Sequence, residues 1–177
     1  AIKKIAITAL YILMCSTGAF TQSTYAEWLR KGKTLQQEKK YWDALNAFKK
    51  AATLDNKSYE APYYAGWCYN ELGKYDSAIF QIRKAILLKP DHANAYFELG
   101  YAYNNKNQPA EAEKQFKKTL EYNSSHSGAY KQLGNVFALQ LRKEEALAAY
   151  KKWQELDPGN ADASHTIGYQ YNGMEKY

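Results

Sequence analysis

Glycine returns every 34 residues along this chain, at Gly32, Gly66, Gly100, Gly134 and Gly168, and these are five of its ten glycines. A glycine inside a helix costs about 1 kcal/mol relative to alanine, so five at one spacing need a common packing reason. The neighbours keep the same register, with Ala44, Ala78, Ala112 and Ala146 recurring at the same interval. Small residues fixed on two consecutive amphipathic stretches mean two helices crossing closely, where a branched side chain would overpack. A period of this length means a repeat architecture, in which each unit buries its apolar face against its neighbours.

The cleanest copy is Tyr59–His92, YEAPYYAGWCYNELGKYDSAIFQIRKAILLKPDH. Two helical patterns flank the turn Glu71-Leu72-Gly73-Lys74, and Pro90 stops the second. The copy before it, Tyr25–Ser58, carries Trp28, Ala44, Phe48 and Ala51, but Leu35 replaces an aromatic and Asn56 a proline. Ala93–His126 carries Tyr96, Leu99, Tyr103, Ala112 and Phe116, with Thr119 in place of a small alanine and Ser124 in place of proline. Pro109 opens its second helix, where a missing N–H costs nothing. Ser127–Asn160 carries Tyr130, Leu133, Phe137, Ala146, Tyr150 and Pro158. There Trp153 stands where Ala51 and Ala85 stand, so the packing must be rearranged. A fifth copy starts at Ala161 and includes Ile167, Gly168 and Tyr171. Trp28, Tyr96 and Tyr130 are expected to fill space between layers, and Ser58 and Asn160 to cap the helices that follow.

Over about Tyr25–Tyr177 this pattern resembles the tetratricopeptide repeat family, whose unit is a 34-residue helix–turn–helix. The resemblance implies an all-α solenoid of antiparallel helix pairs forming a right-handed superhelix. It divides the chain into repeats 25–58, 59–92, 93–126 and 127–160 and a partial repeat 161–177. First helices would line the concave face and second helices the convex face.

The 46% apolar content suffices for a layered core, and the 17 tyrosines suit a solenoid because each ring packs while its hydroxyl stays wet. A net charge of +6 does not define a nucleic-acid binder, and no nucleic-acid partner is expected. Lys3 and Lys4, the apolar run Ile5–Met14 and the small residues Ser16–Ala19 have the layout of a secretory signal peptide, assigned to residues 1–22. Export to a bacterial periplasm or beyond the cell is therefore expected. The alternatives are acylation at Cys15, disfavoured by the preceding Met14, and an uncleaved or cytosolic chain. Cys15 and Cys68 are the two cysteines, and no CxxC site exists.

No catalytic constellation, cofactor motif or metal-ligand spacing stands out. His92, His126 and His165 lie near repeat junctions and read as loop and surface histidines. Lys49-Lys50, Arg83-Lys84, Lys117-Lys118 and Lys151-Lys152 recur in each second helix, either as a solvated face or as a stripe for an anionic surface.

The better candidate is the concave groove that the resemblance implies. Its lining would be Tyr63, Trp67, Asn70, Phe97, Tyr101, Asn104, Lys131 and Asn135: an aromatic floor with an amide edge. Rings supply apolar contact, and amides pair with both N–H and C=O of an extended peptide. Lys33 and Lys131 would favour an acidic segment at either end, and Lys131 with Asn135 matches the first two positions of the family's carboxylate clamp. The competing reading is that these rings are consensus packing. A protein or peptide partner and a scaffold or adaptor role without catalysis are expected. A membrane-anchored envelope-assembly or lipid-surface protein and a module of a larger enzyme or sensor are the alternatives.

Overall fold

The structure is a computed structural model that describes residues 24–174. The segment expected to be a signal peptide, the Cys15 alternative and the last three residues lie outside the described residues. The described residues form nine helices and no strand. They are α1 (residues 24–37), α2 (Tyr41–Leu54), α3 (Glu60–Glu71), α4 (Tyr75–Leu88), α5 (Ala93–Asn105), α6 (Pro109–Tyr122), α7 (Ser127–Leu139), α8 (Lys143–Leu156) and α9 (Ala161–Met174). The all-α solenoid expected from the sequence is the fold that forms.

Four of the five glycines in the column have the packing reason inferred for them, and Gly168 does not. A Cβ built on Gly32 would lie 2.4 Å from Phe48, on Gly66 2.4 Å from Ile82, on Gly100 2.7 Å from Phe116, and on Gly134 2.4 Å from Tyr150. Each contact joins the first helix of a pair to its second. Ala44, Ala78, Ala112 and Ala146 are fully buried at the same crossings. Thr119 is buried too, and its hydroxyl is satisfied by donating to the Gln115 carbonyl at 3.1 Å. Trp153 is also buried, with the Lys131 ammonium 4.7 Å above its ring.

The turn within each pair repeats as closely as the crossing. Lys39, Gly73, Asn107 and Leu141 all have positive φ, near 60°. The N–H after each closes the preceding helix: Lys74 N–H, for example, reaches the Tyr69 carbonyl at 2.8 Å, and Arg142 N–H the Phe137 carbonyl at 2.9 Å. Only Gly73 among the four is free of the Cβ penalty that this conformation carries. Leu141, 80% exposed with φ 61°, gains no burial in exchange. Leu141→Gly should therefore stabilise the domain by about 0.5–1 kcal/mol, and Gly73→Leu should cost about 1–2 kcal/mol. Chemical denaturation of the two variants checks this. A loss of stability in Leu141→Gly counts against it.

Ser58 does not cap α3. Tyr59 takes that position in helical conformation, while the Ser58 hydroxyl pairs with the Tyr25 hydroxyl and only weakly accepts the Glu60 N–H at 3.4 Å. Asn160 does act at the start of α9, its side-chain oxygen accepting the Asp162 N–H at 3.1 Å.

The core falls into two clusters. One runs from Tyr25 through Phe48 to Cys68, the other from Ala78 through Phe116 and Trp153 to Ile167, and Tyr69 touches both. They part where Pro62 replaces the bulky residue found at Trp28, Tyr96 and Tyr130. A cleft of about 520 Å³ opens there, lined by Trp42, Leu45, Pro62, Tyr69 and Gln81 among others.

First helices touch across repeats, α3 on α5 and α5 on α7, whereas no such contact joins α2, α4, α6 and α8 to one another. The stack is thus tighter on its first-helix side, and that side positions the site.

Candidate functional site

On the first-helix side, residues one helical turn apart share a face, and the repeat places equivalent residues side by side. Tyr63 and Trp67 of α3 stand beside Phe97 and Tyr101 of α5, and all four are half-buried. Each ring already has a neighbour. Trp67 meets Tyr41 edge-on at 5.7 Å. Tyr63 meets His92 edge-on at 4.6 Å, and Phe97 stacks on His126 at 4.6 Å. Tyr101 lies near Tyr75, Glu71 and Glu98, and burial first, then these neighbours, push its phenol up.

The amides do not form the open edge expected of them. Asn104 is half-buried, but Asn70 is only 3% exposed. Its amide donates to Glu98 Oε2 at 2.8 Å and to the Glu98 carbonyl at 3.0 Å. Asn135 accepts the Tyr150 hydroxyl at 2.9 Å, because a tyrosine stands where Phe48 and Phe116 end in bare rings. Lys131 is drawn onto the Trp153 ring. Both clamp positions are thus engaged within the fourth repeat. Lys33 is likewise committed, pairing with Glu60 at 3.1 Å and lying 4.5 Å over the Tyr64 ring.

Two of the three histidines are not ordinary loop residues. His92 and His126 cap α5 and α7, each Nδ1 accepting an N–H, from Ala95 at 3.2 Å and from Ala129 at 3.1 Å. An acceptor nitrogen must be unprotonated. Burial lowers both pKa values below 6.5, with Lys89 adding to the effect at His92. His165 is exposed on α9.

Glu98 escaped the sequence reading. It stands in a column with Tyr64, Gln132 and Thr166, where it alone carries a carboxylate, and that oddity was the available signal. Burial raises its pKa to about 7, against the lowering effect of the Asn70 hydrogen bond.

These shifts oppose each other. A histidine whose folded pKa lies below 6.5 contributes stability that is present above pH 6.5 and lost as the pH falls through the folded value. A carboxyl raised from 4.5 to about 7 contributes stability that is present below pH 4.5 and lost as the pH rises to about 7. His126→Ala should cost about 1 kcal/mol at pH 8, the worth of a cap, and less at pH 5. Glu98→Gln should gain on the wild type as the pH rises from 4.5 to 7. Denaturation across this range tests both, and a pH-independent difference for either variant rejects its assignment.

Three of the eight basic residues in the second-helix series pair with acids on the same helices. Lys117 pairs with Glu113 at 2.6 Å, Lys118 with Glu121 at 2.7 Å and Lys152 with Glu155 at 2.5 Å. Arg83 donates to the Tyr103 hydroxyl at 2.6 Å. Cys68 is fully buried and its thiol is pushed up to about 12 by burial, with Glu71 contributing, which removes it as a nucleophile. Among the described residues no cluster able to hold a metal forms, and no helix is long and apolar enough to cross a membrane.

Sequence comparison matches the tetratricopeptide repeat model over residues 29–87 and 105–161, and a second model, described as TPR repeat, over residues 68–107. No curated protein matches. Among solved structures, the MamA protein is 25% identical with a TM-score of 0.76, covering 87% of this chain and 84% of its own. YrrB, described as a TPR protein with an unusual peptide-binding site, is 27% identical with a TM-score of 0.68, covering 84% of this chain and 76% of its own. MamA from Desulfovibrio magneticus RS-1, 20% identical with a TM-score of 0.77 and covering 86% of each chain, shares the fold.

Proposed function

The chain belongs to the tetratricopeptide repeat family, and we propose from that premise that it is a non-catalytic scaffold whose first-helix face holds an extended segment of a partner protein. One observation carries the reading. Four half-buried aromatic side chains, Tyr63, Trp67, Phe97 and Tyr101, fall in two adjacent columns on the tighter side of the stack. Half-buried rings offer apolar anchors that are already oriented, so little entropy is lost when a partner covers them. The described peptide-binding site of YrrB, a relative in fold and sequence, supports a peptide as the occupant.

The test is capture of random ten-residue peptides on an array. Tyr101→Ala should weaken capture about 30-fold, the loss of one anchor worth about 2 kcal/mol, while barely moving the melting temperature. Trp67→Ala should weaken it similarly and also cost some stability through Tyr41. Unaltered capture by both variants rejects the groove.

The place of action we propose is the bacterial envelope, periplasmic or extracellular, on the strength of the basic, apolar and small-residue order of residues 3–19. Recovery of a mature chain starting beyond Ala19 supports export. An intact Ala1 in the periplasm, or an acylated Cys15, counts against cleavage beyond Ala19, and a chain retained in the cytosol counts against export.

A further inference from the structure

We infer that the centre of this face is a receptor for a cationic side chain, arginine or lysine, of the bound segment, with Glu98 as its counter-charge. The inference rests on the groove reading and specifies the chemistry of its occupant.

Glu98 is the one buried charged residue among those described, at 9% exposure. It lies between α3 and α5, held by Asn70 through one carboxylate oxygen at 2.8 Å. The ion pairs of the described residues lie elsewhere. They join Lys33 to Glu60, Lys40 to Glu38, Lys106 to Asp76, Lys117 and Arg142 to Glu113, Lys118 to Glu121, Arg142 to Glu145 and Lys152 to Glu155. The chain has 24 basic and 18 acidic residues, yet the most buried carboxylate of the described residues pairs with none of those cations. Burying a charge without a counter-ion is expensive, and removing the cation's place from the fold leaves room for one from outside.

A second observation points the same way. Among the described residues, the Asn70 side-chain oxygen is the one buried side-chain polar atom without a hydrogen-bond partner. Beside a carboxylate whose one side-chain donor is the Asn70 amide stands an acceptor that has none, and a further donor would serve both. Tyr63 and Glu71 of α3 and Tyr101 of α5 lie close enough to Glu98 to act on it electrostatically. Two rings and two acids are the environment of a cation. An acidic side chain would meet repulsion here, and the lysines that could welcome it, Lys33 and Lys131, are committed to Glu60 and Trp153. The residual exposure of Glu98 leaves an edge for an ammonium or guanidinium to meet.

Full-length wild type, Glu98→Gln and Tyr101→Ala are compared on the same array of random ten-residue peptides. Captured peptides should be enriched in arginine or lysine at one position, against the bias that a net charge of +6 imposes on non-specific binding. Replacing that residue by glutamine in a captured peptide should weaken wild-type binding about ten-fold or more, and binding to Glu98→Gln hardly at all. Wild-type affinity for the basic peptides should also fall from pH 8 to pH 5, as the carboxylate is neutralised, a readout that needs no variant. Capture that depends on Tyr101 but shows no basic preference, or an acidic one, overturns this inference and leaves the groove standing. Capture indifferent to both Tyr101→Ala and Trp67→Ala, or no capture, overturns the groove and the inference with it.

Discussion

Gly100→Leu should destabilise the domain by about 3 kcal/mol or more, the upper range for overpacking a crossing. The Cβ alone would lie 2.7 and 2.8 Å from two atoms of the Phe116 ring, closer than real contacts allow. Phe116 cannot swing away freely, because it is fully buried and the Phe97 ring lies 5.7 Å from its own. The helices α5 and α6 must therefore part, and the strain passes to α4 and α7 on either side. Gly168 provides the control. It occupies the same column, but nothing lies within 4 Å of its Cβ position. Gly168→Ala should be neutral or stabilising by up to about 1 kcal/mol, since helix propensity is then the whole effect. Calorimetric melting of the two variants is the measurement. Equal melting temperatures would show that the column does not mark a crossing.

Trp153→Ala should cost about 3–5 kcal/mol, although it restores the alanine that repeats one and two carry at this position. In those repeats Ala51 and Ala85 are fully buried against helices that approach closely. In the fourth repeat the space is built around an indole: Trp153 is 3% exposed, Tyr150 packs at 6.4 Å and Lys131 covers its face. Ala163 and Ile167 of α9 belong to the same cluster, so the cavity would open beneath the last helix. Removing the ring also frees Lys131. Denaturant unfolding should show the loss, and hydrogen exchange should show α9 opening first. A cost below about 1 kcal/mol would mean that α9 closes down onto the smaller residue, as the helices do in the first two repeats.

What the chain order alone determined is whatever depends on one period. The 34-residue glycine column located the helix crossings, because at Gly32, Gly66, Gly100 and Gly134 the atoms that forbid a Cβ sit on the partner helix of the same repeat. The helix pairs, their order and the small alanines opposite the glycines follow from that register. Turn chemistry was only partly legible: the turn around Gly73 could be read, whereas the left-handed conformation that Lys39, Gly73, Asn107 and Leu141 share could not. Three-dimensional packing decided the fate of individual polar groups. Asn70 looked like Asn104 in the sequence, yet it is buried because Glu98, 28 residues on, reaches its amide. Asn135 and Lys131 were occupied by Tyr150 and Trp153, the two residues by which the fourth repeat departs from its neighbours. His92 and His126 became caps because each helix start comes within reach of the imidazole that precedes it. Periodicity fixes backbone spacing, which every repeat shares. The use of a hydrogen-bonding group depends on the one side chain that the next layer brings against it, and that side chain differs from repeat to repeat.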